Sequence, residues 1–371
     1  MIYLDNAATT KMFEGAVGEY KKFACDLFYN PSAFYREGVE VSKFLNKARN
    51  SILNKLGASQ GNIIFTSGAT ESNNLAIFGS KRNGNWNYVF SMGEHPSVYN
   101  VARELERLGN KVSFVRLQEN GEVDYDQLEN LVNEKTRLVS VMHVSNETGV
   151  VNDIKKVCEI VKGKSNSLIH VDGVQAFNKI VFSLDDFDVD FYTISAHKFH
   201  GPKGVSALYV KNKNDLKNIV FGGGQEENYR SGTENVGAIM AMAWASENIN
   251  VKTNFEKTMR LKAIMENILS TDNKIQIVKS QSPYILSVSY EGVNGETLAR
   301  ALQDEGVLIS TGSACSTKKA GNRILENMGF DKNRIVSSVR ISFNAYMSEE
   351  EVKDAGKIIL NCAKKLAQLK A

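Results

Sequence analysis

Residues 191–204 read FYTISAHKFHGPKG, and this stretch decides the fold. The aromatic and β-branched residues at its start predict a strand over 191–194, and Gly and Pro close the loop that follows. Lys198 lies in that loop, beside the hydrogen-bonding side chains of Ser195 and His197. A lysine fixed at the end of a strand suits Schiff-base formation, in which a neutral amine must meet a carbonyl carbon. The alternative is a solvated surface lysine, and the rest of the chain decides between the two.

Strand-like runs alternate with helical patterns along the first 250 residues. The predicted strands cover 62–66, 88–91, 137–142, 167–171, 190–194 and 207–210. Residues 71–78, after the first of these strands, begin a helix. After the second strand, apolar residues recur at helical spacing over 98–108. Strands separated by helices predict an α/β domain with a mostly parallel sheet. In such sheets, ligands bind at the carboxyl ends of the strands.

The pattern changes near residue 250. A helical stretch rich in Lys, Glu and Asn precedes further elements, with strands predicted at 284–290, 307–309 and 339–343 and helices at 297–305 and the C-terminus. We therefore expect a large α/β domain over 15–250. A smaller α+β domain would comprise 1–14 and 251–371 and carry the loop around Cys315.

The composition excludes several classes of protein. The 371 residues are 42% hydrophobic and 23% charged, which is ordinary for a soluble globular chain. A net charge of +3 gives no support for direct nucleic-acid binding. No signal peptide and no membrane-length apolar run is visible, so we expect a cytoplasmic protein without membrane contact. The cysteines have no close spacing, so we predict no metal site and reduced thiols.

Small and acidic residues follow two of the predicted strands. Residues 67–70 (SGAT) lead from a strand into a helix, where backbone N–H groups face an anion such as a phosphate. A simple N-cap is the alternative. Asp172 ends another strand and could hold a protonated ring nitrogen, with Gln175 donating to a ring substituent. For Asp172 alone, the alternative is a helix cap.

Further candidates lie in neighbouring loops. His95 could stack on a planar ring or transfer protons, although Pro96 marks a helix start there. Asn146 follows the strand that ends at Met142 and reads equally well as a turn residue. The glycine run at 222–224, followed by residues 229–235 (YRSGTEN), suits anion binding or a linker.

Cys315 stands apart from the other cysteines. Its neighbours in 310–317 (STGSACST) are small and polar, which is typical of an exposed thiol on a mobile loop, as a nucleophile requires. Cys25, Cys158 and Cys362 lie in helix-like apolar patterns, so we expect them to be structural.

Together these motifs resemble the cysteine desulfurases of the NifS/IscS type, which are class-V aminotransferases of fold type I. The resemblance extends from residues 3–10 (YLDNAATT) to 339–343 (VRISF). It implies a large domain with a mostly parallel seven-stranded sheet flanked by helices, a smaller α+β domain, a homodimer and the cofactor pyridoxal 5′-phosphate. It also implies an activity: removal of sulfur from L-cysteine, which leaves L-alanine and a persulfide on the enzyme.

The resemblance assigns roles to individual residues. Lys198 would form the Schiff base, His95 would stack and move protons, and Cys315 would accept the sulfur. The cofactor-binding set would be Lys198, Asp172, Gln175, Asn146, Ala69, Thr70, Ser195 and His197, with Thr233 from the partner subunit. Arg340 and Asn30 would bind the substrate carboxylate, and a mobile loop would carry the persulfide to a sulfur-acceptor protein, either an iron–sulfur scaffold or a tRNA-thiolation enzyme.

The chain departs from that family at two places. Ser145 stands where many relatives have a second Asn, and the chain ends at Ala371 without the longer tail that helps housekeeping members dock the iron–sulfur scaffold. The sequence around Cys315 matches the long-loop subgroup. Two kinds of alternative remain: another pyridoxal-phosphate reaction, such as selenocysteine cleavage or transamination, or a non-catalytic relative that acts as a binding protein.

Overall fold

The computed structural model describes residues 1–311 and 322–369. Its strands are β1 (Ile2–Tyr3), β2 (Asn62–Thr66), β3 (Asn87–Ser91), β4 (Lys111–Val115), β5 (Thr136–Ser140), β6 (Leu168–Asp172), β7 (Phe191–Ser195), β8 (Ser206–Val210), β9 (Ile275–Ile277), β10 (Ile285–Tyr290), β11 (Val307–Leu308) and β12 (Ser338–Ser342). Its helices are α1 (Glu14–Lys21), α2 (Arg36–Leu56), α3 (Ala69–Gly79), α4 (Pro96–Arg107), α5 (Tyr125–Leu131), α6 (Ile154–Lys164), α7 (Val236–Glu247), α8 (Val251–Leu269), α9 (Gly295–Asp304), α10 (Arg323–Asn327), α11 (Lys332–Ser337) and α12 (Glu349–Gln368).

A seven-stranded sheet forms the centre of the larger part of the chain, in the order β2-β8-β7-β6-β5-β3-β4. Only β8 runs against its neighbours, β2 and β7, and the other pairs are parallel. Successive side chains of a strand point to opposite faces. Ile169 and Val171 of β6 therefore belong to the apolar core on one face of the sheet, and Leu168 belongs to the apolar core on the opposite face. The predicted α/β fold with a mostly parallel seven-stranded sheet is confirmed.

A separate apolar core lies in the last third of the chain. It gathers side chains from α8, α9, α12 and the antiparallel sheet β12-β10-β9, and it also includes Leu4. The N-terminus belongs here because β1 pairs with β11. The two domains that we predict from the sequence pattern, and their boundaries, stay predictions.

The segment after β1 runs from this core to the lysine loop. The Asn6 amide donates to the Ser342 carbonyl at 3.0 Å, and Ala7 N–H donates to Ser342 Oγ at 2.9 Å. Thr10 N–H then donates to the His197 carbonyl at 2.9 Å. These bonds hold residues 7 and 8 against the loop that carries Lys198.

The structure corrects one expectation about the cysteines. Cys158 and Cys362 are buried in α6 and α12, whereas Cys25 is exposed. Cys25 lies in a single π-helical turn, Lys22–Asp26, of which only Phe23 is buried. Its apolar neighbours in sequence therefore do not enclose it.

Candidate active site

A cavity of about 440 Å³ lies at the carboxyl ends of β6 and β7. Both the sheet and the second core contribute to its walls. It brings together most of the predicted site residues: Ala69, Thr70, His95, Asn146, Asp172, Gln175, Ser195, His197, Lys198 and Arg340.

Two predicted residues in the described part of the chain do not line this cavity, and a third lies outside that part. Asn30 is exposed, and its Oδ1 accepts a hydrogen bond from Ser32 N–H at 2.9 Å. Thr233 is exposed beside a smaller cavity of about 160 Å³ that Arg230 and Glu234 also line. Cys315 lies outside the described residues. The roles of all three stay predictions.

Lys198 reaches the cavity because β7 ends in a single 3₁₀ turn, Ala196–Lys198. Its Nζ donates to the Ala8 carbonyl at 2.7 Å and to the Ala7 carbonyl at 2.8 Å. Burial, reinforced by the positive charge of Arg340, lowers the pKa of Lys198 from 10.5 to about 8. A substantial share of the neutral, nucleophilic amine is therefore present near physiological pH.

Asp172 is oriented from two sides at the end of β6. Its Oδ1 accepts a hydrogen bond from Val174 N–H at 3.1 Å, and its Oδ2 accepts one from Asn73 Nδ2 at 2.9 Å. The side chain is buried, yet it lines the cavity. A carboxylate fixed in this way presents negative charge to a cationic group such as a protonated ring nitrogen.

The same Asn73 amide also holds the group that supports His95. Asn73 Nδ2 donates to Ser97 Oγ at 2.9 Å, and Ser97 Oγ lies 2.8 Å from His95 Nδ1. Ser97 N–H donates to His95 Nδ1 as well, at 3.1 Å, so the proton of the neutral ring is on Nε2. Burial lowers the pKa of His95 even though Asp172 opposes the shift, which favours the neutral ring at neutral pH.

Gln175 and Asn146 both lie at hydrogen-bonding positions on the cavity wall. Gln175 Nε2 donates to the Ala7 carbonyl at 2.9 Å, and its Oε1 accepts from Lys179 Nζ at 2.6 Å. Asn146 Nδ2 donates to Glu147 Oε1 at 3.0 Å, while Asn146 Oδ1 is buried without a partner in the described residues. The Asn146 NH₂ group carries two hydrogens, so one remains for a ligand while the other donates to Glu147.

Arg340 is a buried cation that also lines this cavity. Its Nη2 donates to Asp5 Oδ1 at 2.9 Å, and its Nη1 donates to the Asn146 carbonyl at the same distance. Glu147 lies 3.8 Å from Nη1, and Nε has no partner in the described residues. The guanidinium is thus held in place with hydrogen-bonding capacity remaining, which suits a carboxylate ligand.

The N-terminus of α3 forms one wall of the cavity. In the described structure no side chain caps this helix at Gly68, so its first N–H groups are available to a ligand. A Cβ at Gly68 would meet no atom within 4 Å, which leaves room for a ligand to approach the backbone. Free N–H groups and the positive end of the helix dipole suit a phosphate.

The aminotransferase class-V family model matches residues 2–354. The chain belongs to the aminotransferase class-V family. A NifS/IcsS protein homolog of Lactobacillus delbrueckii subsp. bulgaricus is 39% identical over 366 residues, 95% of each chain. The cysteine desulfurase IscS of Clostridium botulinum is 34% identical over 95% of this chain and 91% of its own. A solved NifS-like protein has a TM-score of 0.92 at 33% identity and covers 98% of this chain and 100% of its own. These likenesses confirm the predicted family.

Several residues of this class-V site escaped the sequence analysis. Asn73, Glu147, Lys179 and Arg323 are polar or charged residues on helices or in loops, where a solvated role is the ordinary expectation. Arg323 donates to the carbonyls of Met92 and Glu94, just before His95, and its guanidinium lies 4.1 Å from the Tyr99 ring centre. Gln175 and Lys179 lie four residues apart in a run of turns, so no helical pattern in the sequence indicated their contact.

Two absences in the described residues concern metal ions and membranes. Within residues 1–311 and 322–369, no cluster of three or more His, Cys, Asp or Glu side chains is arranged to hold a metal ion. Over the same residues, no helix combines the length and the apolar character that crossing a membrane requires.

Proposed function

We propose that this chain is a pyridoxal-phosphate-dependent cysteine desulfurase. It would convert L-cysteine to L-alanine and leave the sulfur as a persulfide on Cys315. The observation that carries the proposal is the single cavity that joins Lys198, Asp172, His95 and Arg340. The relatives named cysteine desulfurase, at 34% identity over most of the chain, support the same reaction.

The described residues fit pyridoxal phosphate. The uncapped N-terminus of α3 would hold the phosphate, together with Thr70, Ser195 and His197 and, from a partner subunit, Thr233. Asp172 would pair with the ring nitrogen, and Gln175 and Asn146 would face the ring oxygen. When bound, the cofactor supplies an electron sink for charge that develops at the substrate Cα.

The other residues have roles toward the substrate. Arg340, with Asn30, would bind the carboxylate of L-cysteine and so place its Cα near Lys198. Lys198 would take a proton from that carbon, because its lowered pKa makes the neutral amine available near pH 8. His95, neutral in the ring form fixed by Ser97, would transfer further protons.

Cys315 would carry out the sulfur transfer. Its thiolate attacks the sulfur of the bound cysteine, and the substrate's carbon–sulfur bond breaks with its electron pair on carbon. That carbon then takes a proton, Lys198 returns a proton to Cα, and alanine leaves while the sulfur stays on Cys315 as a persulfide. A sulfur-acceptor protein would remove it. The protein would act as a homodimer, since Thr233 is exposed and lies outside its own chain's main cavity.

The experiment that tests this function follows the products. The purified protein, loaded with pyridoxal phosphate, is incubated with L-cysteine and a thiol reductant, and alanine and sulfide are measured. Equal amounts of both are expected from the wild type. The Cys315→Ala variant is expected to release no sulfide while it retains the coloured cofactor.

Cys25→Ala is the matched control, because Cys25 is an exposed thiol outside the cavity. It is expected to behave like the wild type. Sulfide release by Cys315→Ala at the wild-type rate would overturn the persulfide route, and formation of a keto acid in place of alanine would indicate transamination instead.

A further inference from the structure

Lys179 is a second lysine at this site with no assigned role. Its side chain is 5% exposed, and it lies with Lys198 on the wall of a small chamber of about 20 Å³. In the described residues no carboxylate lies within ion-pair distance of its amine, and its one hydrogen bond goes to Gln175 Oε1, at 2.6 Å. Burying an amine without a counter-ion is costly, so a stabilising role does not explain it.

Lys262 is a second buried lysine of this chain, and its amine has several partners. Lys262 is also buried, at 6% exposure, but its amine donates to the Ser280 carbonyl, to Ser280 Oγ and to the Ser282 carbonyl. Glu266 lies 3.9 Å from it. Lys262 is therefore a satisfied structural lysine. Lys179 instead faces Lys198, Arg340 and the ring of Tyr284, whose centre lies 5.7 Å away.

The hydrogen bonds around Lys179 form a chain that ends at Lys198. Lys179 Nζ donates to Gln175 Oε1, and Gln175 Nε2 donates to the Ala7 carbonyl at 2.9 Å. Lys198 Nζ donates to the same Ala7 carbonyl at 2.8 Å. A lysine amine donates and the Ala7 carbonyl only accepts, so the Gln175 amide has one orientation that satisfies both neighbours.

We propose that Lys179 is a positioning residue that fixes the polarity of the Gln175 amide, with its oxygen turned inward and its NH₂ group turned to the Ala7 carbonyl and the cavity. This inference rests on the proposed function, because the NH₂ group so presented would donate to the ring oxygen of pyridoxal phosphate. Without Lys179 the amide has an unsatisfied buried oxygen, and only the Ala7 carbonyl still favours its orientation.

The bond between Lys179 and Gln175 does not depend on the charge of the lysine. Burial, with the positive charges of Lys198 and Arg340, lowers the pKa of Lys179 from 10.5 to about 7. A neutral amine still carries N–H groups, so it donates to Gln175 Oε1 on either side of that pH. The orienting contact therefore persists across the pH range in which the enzyme would work.

The test is a double-mutant cycle on the full-length protein with cofactor affinity as its readout. Lys179→Met is expected to weaken pyridoxal phosphate binding about tenfold in an otherwise wild-type chain and to shift the pH midpoint of the visible absorbance. In a Gln175→Ala background the same change is expected to alter affinity by less than about twofold. Lys262→Met is the matched control and is expected to keep wild-type affinity in its folded fraction.

Three results would overturn the inference: unchanged affinity in Lys179→Met, an equal loss in both backgrounds, or an equal loss in Lys262→Met. If Lys179→Met fails to fold, Lys179→Gln replaces it with the same expectation, because that side chain is polar but one atom too short. A wild-type protein that does not bind pyridoxal phosphate would instead refute the proposed function itself.

Discussion

At the scale of single residues, one buried amide organises both sides of the cavity. Asn73 Nδ2 donates to Asp172 Oδ2 and to Ser97 Oγ, and Ser97 in turn supports His95. Burial lowers the pKa of His170, the partner on the other side of Asn73, to about 3, so that histidine is neutral. The Asp172 carboxylate and the His95 ring thus share one support on α3.

Arg340 is expected to control the affinity for the substrate. A lysine at this position keeps the charge but loses the two-pronged contact with a carboxylate. Arg340→Lys should therefore raise the KM for L-cysteine by about 10- to 100-fold, with a smaller change in kcat. Steady-state kinetics of alanine formation measure both constants.

The control for that substitution is Arg300→Lys. Arg300 is exposed on α9 and pairs with Glu296, outside the cavity. The KM of the Arg300→Lys variant for L-cysteine is expected to equal that of the wild type. A wild-type KM in Arg340→Lys would show that Arg340 serves only its ion pair with Asp5.

The lowered pKa of Lys198 predicts how cofactor capture depends on pH. Only the neutral amine attacks a carbonyl, so capture rises as pH rises through the pKa of the amine. For Lys198 the midpoint is expected at about 8, and not at the usual 10.5. Stopped-flow absorbance after pyridoxal phosphate is added to apo-protein gives the rate. A rate that still climbs steeply above about pH 9.5 would contradict the lowered pKa.

Much of the site could be predicted at this scale because the key residues lie at strand ends in recognisable patterns. Lys198, Asp172 and His95 were found in this way, and the structure places all three at one cavity. Their supports could not be found, because Asn73 and Asp172 are 99 residues apart and Glu147 and Asn322 are 175 apart. Contacts over such separations depend on strand order, which no local pattern encodes.

At the scale of elements, the N-terminus of α3 carries the phosphate-binding hypothesis. Gly68 has an extended backbone with φ 174°, so a side chain there causes no backbone strain. Gly68→Val would place methyl groups in the open space where the phosphate is expected. The substitution should weaken pyridoxal phosphate binding about tenfold and leave the Tm unchanged, as titration and thermal unfolding would show.

Gly163→Ala is the matched control for Gly68→Val. Gly163 lies in α6, and a Cβ there would also meet no atom within 4 Å. The change should leave cofactor affinity unaltered and stabilise the helix by about 0.5–1 kcal/mol. Wild-type affinity in Gly68→Val would mean that the phosphate lies elsewhere.

The order of elements was largely predictable, but one edge strand and one helix were missed. The central strands were found because parallel strands buried on both faces read as continuous apolar runs. Strand β4, Lys111–Val115, was missed because it lies at the sheet edge and only Val115 is fully buried. Helix α2 was also missed, although Val41, Leu45, Ala48, Ile52 and Leu56 recur at helical spacing and are buried.

At the scale of the whole molecule, the cavity depends on the contact between two apolar cores. Arg340 comes from the second core, and its partner Asp5 comes from the N-terminal segment that also presents Ala7 to Lys198. Neither core alone holds both the lysine and the arginine. A ligand that contacts both Lys198 and Arg340 therefore requires both parts of the chain.

The homodimer is the prediction that belongs to this scale. Phe34 is fully exposed, and Phe28 and Tyr35 are 65% and 51% exposed, so three large apolar side chains of one short segment face solvent in the single chain. Light scattering should give twice the mass of the chain. Phe34→Asp should shift the protein toward monomer and weaken pyridoxal phosphate binding, because Thr233 would be lost from the phosphate. Wild-type protein that has the mass of one chain and full affinity would refute this.

The most direct test of the account is to locate the covalent attachment. The holoprotein is reduced with borohydride, digested and analysed by mass spectrometry for the pyridoxyl group. We expect one modified residue, Lys198, and no modification of the neighbouring buried amine of Lys179. A pyridoxyl group on Lys179, or none on the chain, would contradict it.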